Sequence, residues 1–157
     1  MRKLGIILVV AVLMAACGGD ADSTDDGNGD AGAGSSSAPD PCTLAGASVL
    51  AQYFGEAVPE VERSEAGPIV SCSWRDANAN SLLIQTATGH QLFQPDPCTG
   101  CLDLSFGDDG FAAGSSLQST ATVVSGSLWV SVTTTGFGDD GESISGLLET
   151  VFGNATS

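Results

Sequence analysis

The chain has 157 residues, with 4 basic and 19 acidic side chains and a formal charge of −15 at pH 7. That imbalance argues against nucleic acid as a partner and against a basic patch as the means of holding a membrane. Its length fits one domain of ordinary size beside a targeting segment. A single histidine, His90, removes most catalytic triads and multi-histidine metal centres.

The chain opens on Arg2 and Lys3, followed by an apolar run over residues 4–16 that ends in Met14, Ala15 and Ala16 before Cys17. A short basic start, an apolar stretch and small residues at a cut are the parts of an export signal. The run is too short to cross a hydrocarbon core of about 30 Å, which takes about 20 apolar residues as a helix. With Cys17 directly after the small residues, the segment resembles a bacterial lipoprotein signal, although Met14 stands where leucine is usual. The resemblance implies cleavage before Cys17, a diacylglycerol on its thiol and often an acyl group on the freed amine. Two acyl chains or more give stable anchoring, whereas one holds only marginally. Cleavage would also remove Arg2 and Lys3, leaving Arg63 and Arg75 against all 19 acids, with no lysine.

Residues 17–39 are expected to be a lipidated, disordered tether. They are rich in Gly, Ser and Asp and carry no large apolar residue, so they cannot offset the entropy of being ordered. Asp26, Asn28 and Asp30 have the spacing of the start of a calcium loop, but Ala31 stands where that loop needs Gly and Ser37 where it needs Glu. Residues 40–157 are the expected folded domain.

Within it, Val49, Leu50, Tyr53 and Phe54 recur at helical spacing and predict a helix over 46–54, stopped by Gly55. Residues 56–67, with Pro59 and four glutamates, read as an exposed connection. Alternation predicts strands over 69–75 and 81–88, joined by a turn over 76–80. A second hairpin, 120–125 with 127–135, turns about Ser125 and Gly126 and places Leu128, Val130 and Val132 on one face with Trp129 on the other. A short strand is expected within 111–117. An amphipathic helix over 144–152 closes the domain, with Asp139 or Asp140 as its cap. This order predicts an α+β fold: an antiparallel sheet of four to six strands with N- and C-terminal helices packed on one face.

Apart from Cys17, four cysteines remain: Cys42, Cys72, Cys98 and Cys101. An even number in an exported domain reads as a disulfide framework with three possible pairings. Asp40-Pro41-Cys42, a helix ending at Phe54 and Gly55, and Cys72-Ser73-Trp74 together resemble a domain of unknown function found in actinobacterial, mycobacterial-type cell-envelope lipoproteins. Ala45, Gly46 and Val49 depart from that pattern, and the likeness covers chiefly residues 40–75. The resemblance implies pairing of Cys42 with Cys72 and no catalytic residues. It also favours the extracytoplasmic face of the cell membrane.

The Cys98 and Cys101 pair, with two residues between them, is the one motif that could carry redox chemistry. Its flanks are not a strand leading into a helix, and its charged neighbours are acidic, which favours a structural disulfide. Zinc is disfavoured because only one close cysteine pair exists. The sequence Phe-Gly-Asp-Asp-Gly occurs at 106–110 and again at 137–141, either as turns and caps or as calcium ligands. The expectation is therefore a lipid-anchored envelope protein whose domain is a non-enzymatic binding or structural module. No cofactor or metal is expected, and the partner would be an envelope protein or a small ligand. The alternative is an envelope thiol–disulfide protein using Cys98 and Cys101. Burial of both Trp74 and Trp129 around one pocket would favour a carrier, and a closed core an interaction domain.

Overall fold

The structure, a computed structural model, describes residues 37–89 and 100–157. The expected signal, Cys17, nearly all of the expected tether, His90 and Cys98 lie outside the described residues. The elements run α1 (Pro41–Leu44), α2 (Ala47–Phe54), β1 (Val61–Ala66), β2 (Ile69–Arg75), β3 (Ser81–Thr88), β4 (Leu102–Asp103), β5 (Asp109–Gly114), β6 (Gln118–Ser125), β7 (Leu128–Thr135) and α3 (Gly141–Thr156). The fold is α+β. Its strands form one sheet in the order β1-β2-β3-β7-β6-β5-β4, with every neighbouring pair antiparallel.

The sheet has seven strands, not four to six. Both extra strands lie at its edges, and both lack the alternation that marks a half-buried strand. In β1 all six residues are exposed, so no apolar period exists to read. Its strand geometry comes from a tight hairpin with β2, in which Arg63 stands opposite Cys72 and Ala66 opposite Ile69. Strand β4 is only two residues long.

One face of the sheet carries the core. Cys72 and Trp74 of β2, Leu82 and Ile84 of β3, Val130 and Val132 of β7, Ala121 and Val123 of β6, and Ala112 of β5 form a single apolar cluster. The register places them side by side: Cys72 opposite Ile84, Ile84 opposite Val132, and Val132 opposite Ala121. Ile144, Leu147, Leu148 and Val151 repeat at helical spacing and bring α3 onto this face over β5, β6 and β7. Each fully buried aliphatic side chain there contributes about 1.5–3 kcal/mol. Asp140 starts α3 by accepting from the backbone N–H of Ser143 at 2.8 Å. The helix approaches β5 closely because Gly114 has no side chain: a Cβ there would lie 2.6–2.7 Å from the Asp140 backbone.

At the other end of the domain, Asp40 caps α1 by accepting from the Cys42 N–H at 3.0 Å, and Pro41 opens the helix without a donor to lose. This four-residue turn was not expected from the sequence, being too short to show a period. It packs on β2 and β3 and is tied there by the Cys42–Cys72 disulfide, with a Cα–Cα distance of 5.2 Å. Two further bonds fix this corner. The Thr86 hydroxyl donates to the Pro39 carbonyl at 2.7 Å, and the Asn154 amide donates to the Leu44 carbonyl at 2.9 Å.

Candidate functional site

The site with the most developed chemistry is a cleft of about 320 Å³ between α2 and α3. Val49 and Leu147, both nearly buried, supply its apolar lining. Tyr53, Asp139, Glu142 and Thr150 supply polar groups. The opening of α2 is short of side-chain caps, since Gly46 makes none, and only Val49 of the helix is buried. The helix is held instead by its aromatic end. Tyr53 and Phe54 both meet Phe137 edge-on, with ring centroids 4.9 and 5.4 Å apart.

Phe137 belongs to the connection from β7 to α3, which also delivers Asp139. The Asp139 carboxylate accepts from the Thr134 hydroxyl at 2.6 Å and is hydrogen-bonded to the Tyr53 phenol. Its backbone carbonyl accepts from the Ser119 hydroxyl. Burial, with the adjacent Asp139 charge and its hydrogen bond, pushes the Tyr53 phenol well above its ordinary value. Tyr53 therefore keeps its proton at neutral pH and donates it to Asp139, which leaves its phenol oxygen as an acceptor toward a ligand. Asp140 next to it is held below the usual carboxylate range by the Ser143 N–H. The lining carries two carboxylates and no basic side chain, so the cleft suits neutral polar or cationic groups and disfavours anions.

Cys42 and Cys72 are joined as the resemblance implied, and Cys72 is fully buried. Asp40 lies with the two sulfurs in a group compact enough for a metal. However, both sulfurs are committed to the disulfide and offer no thiolate, while Asp40 bonds to the Cys42 N–H and faces Arg63 at 3.7 Å. Cys101 is disulfide-bonded and half-buried just before β4. Cys98 and His90 fall outside the described residues, as does Cys17.

The two Asp-Asp-Gly loops do not converge. Asp108 accepts from the Gly126 N–H at 2.6 Å, at the end of the sheet where β5 begins. Asp139 bonds to residues at the end where β5 finishes. The length of β5, about 17 Å at ~3.4 Å per residue, separates them. In each loop the acids serve nearby backbone or hydroxyl groups: Asp109 accepts from the Gly110 N–H at 2.8 Å, and Asp140 caps α3. Trp74 and Trp129 do not share a pocket either. Trp74 is buried on the helix-bearing face, whereas Trp129 stands opposite Ala87 and Val124 on the other face.

The sequence pointed to neither Tyr53 nor Asp139 as partners. Tyr53 read as a core residue of its helix and Asp139 as a cap, and 86 residues separate them (139 − 53). The one available signal was that Tyr53 is the only tyrosine in the chain. Among the described residues no helix is long and apolar enough to cross a membrane. No protein-family model matches the chain, and no curated protein or solved structure matches it.

Proposed function

We propose that the chain is a cell-envelope lipoprotein, anchored by lipid on Cys17 to the extracytoplasmic face of the cell membrane. Its α+β domain acts as a non-enzymatic binding or structural module. The observation that carries the anchoring is the basic pair, apolar run and small residues that end directly at Cys17. The actinobacterial lipoprotein likeness of residues 40–75 supports the same address.

Recognition as the domain's role is supported by the chemistry of the α2–α3 cleft. Its phenol is held protonated and its Asp139 is already hydrogen-bonded, which suits binding better than proton transfer. The placement of Trp74 and Trp129 on opposite faces also supports an interaction domain over a carrier with an enclosed apolar pocket.

Mass spectrometry of the protein isolated from membranes tests the anchor. The expected result is an N-terminus at Cys17 carrying a diacylglycerol, with the Cys17→Ser variant lost from the membrane fraction. An unmodified Cys17 in a protein recovered free of membrane overturns the reading. The thiol–disulfide alternative is separated by glutathione buffers. A Cys101 disulfide that exchanges readily while Cys42–Cys72 stays closed favours the alternative, and resistance of both favours the structural role.

A further inference from the structure

The outer edge of β1 carries no strand among the described residues, although β1 is six residues of extended backbone. An edge of that length presents a row of backbone donors and acceptors that another extended segment can pair with. Acids outnumber bases about it: Glu60, Glu62 and Glu65 stand against Arg63 and, across the hairpin on β2, Arg75. Glu60 and Glu62 make no ion pair among the described residues. Arg63, the one cation in β1, is taken up by Glu65 at 2.7 Å and Asp40 at 3.7 Å. Val61 is 49% exposed, in line with buried Trp74 of β2. Beside it opens a groove of about 340 Å³, lined by Glu60, Val61, Glu62, Ser73 and Arg75.

We propose that the β1 edge is a docking strand for an extended, basic segment of a partner protein, which adds an eighth strand to the seven of this sheet. Charges along an edge are a common device against unwanted pairing. Here the device selects by sign. A second copy of this chain brings a formal −15 of its own and is repelled, as is any other acidic strand. A strand bearing lysine or arginine at alternate positions meets Glu60 and Glu62 while its intervening residues cover Val61. Backbone pairing supplies the geometry, and the glutamates supply the choice of partner.

The test uses the full-length protein in neutral detergent and a short synthetic peptide that alternates lysine with threonine. Hydrogen exchange is expected to slow at residues 61–66 when the peptide binds, with binding weakening as salt is added. A matching peptide with glutamate in place of lysine is expected not to bind. Glu62→Lys is expected to weaken binding at least about tenfold, while Glu149→Lys, which makes the same change of charge on exposed α3, leaves it within about twofold. Protection spread over the whole acidic surface, or equal weakening by both variants, overturns the proposal. So does sedimentation as a dimer whose β1 amides are already protected, because the edge is then filled by a second copy.

Discussion

Removing the Cys42–Cys72 disulfide is expected to cost this domain a large part of its stability. The bonded residues are 30 apart in sequence. In the chain-entropy model a closed loop of about that length lowers the unfolded-state entropy by roughly 12 cal/mol/K, which stabilises the fold by about 3.7 kcal/mol at 25 °C. A domain of roughly 120 residues unfolds with an entropy of about 250 cal/mol/K, so the midpoint should fall by about 15 °C. The pair Cys42→Ala and Cys72→Ala adds a packing loss, because Cys72 is fully buried between Ile84 and the α1 corner. Calorimetry of the parent and of the double variant reads the total. A variant that melts within about 3 °C of the parent refutes the reasoning, as does peptide mapping that links Cys42 to a different cysteine.

Leu148→Ala, at a fully buried position of α3, should lower stability by about 2–5 kcal/mol in denaturant titration, without a change in the slope that reports exposed surface. Tyr53 should titrate well above the ordinary tyrosine value, and as the only tyrosine its phenolate absorbance reads this directly. Because its folded value is the raised one, its contribution is complete below the unfolded value of about 10 and is lost as pH rises beyond it. The melting temperature should therefore decline from about pH 10 upwards, and Tyr53→Phe should flatten that decline. An ordinary titration midpoint for Tyr53 contradicts the burial and the Asp139 bond together.

Legibility in the sequence followed burial. Strands β2, β3, β6 and β7 place one face in the core and the other away from it, so their side chains alternate; the expected bounds lie within two residues of those observed. The final helix is legible from Ile144, Leu147, Leu148 and Val151, but it runs from Gly141 through Thr156, and Asn154 near its end donates to the Leu44 carbonyl. Residues 56–67 read as a connection because four glutamates and Pro59 lie along them, and the structure leaves every residue of β1 exposed. Its strand state is set by pairing with β2, which no local pattern records. The cleft was illegible for a related reason. Tyr53 and Asp139 meet where Phe137 packs against the end of α2, and that contact joins elements far apart in the sequence.

Apart from Asp103, the acids among the described residues divide into two kinds, by side-chain length. An aspartate is short enough to bond to the backbone beside it. Asp40, Asp76, Asp108, Asp109 and Asp140 all accept from backbone N–H groups, and Asp139 from Thr134. These acids are spent on caps and turns, and replacing them disturbs the fold before it disturbs any partner. A glutamate is longer by one methylene and reaches past its own backbone into solvent. Of Glu56, Glu60, Glu62, Glu65, Glu142 and Glu149, only Glu65 has an ionic partner among the described residues. Of the five unpaired ones, Glu56, Glu60 and Glu62 precede or lie in β1 and Glu142 lines the α2–α3 cleft, so most of the glutamate charge left over from folding lies at the two surfaces with open chemistry. The count of acids alone could not separate these roles, but the hydrogen bonds do. Glu60 and Glu62 are therefore the acids whose reversal should change binding while leaving the fold intact.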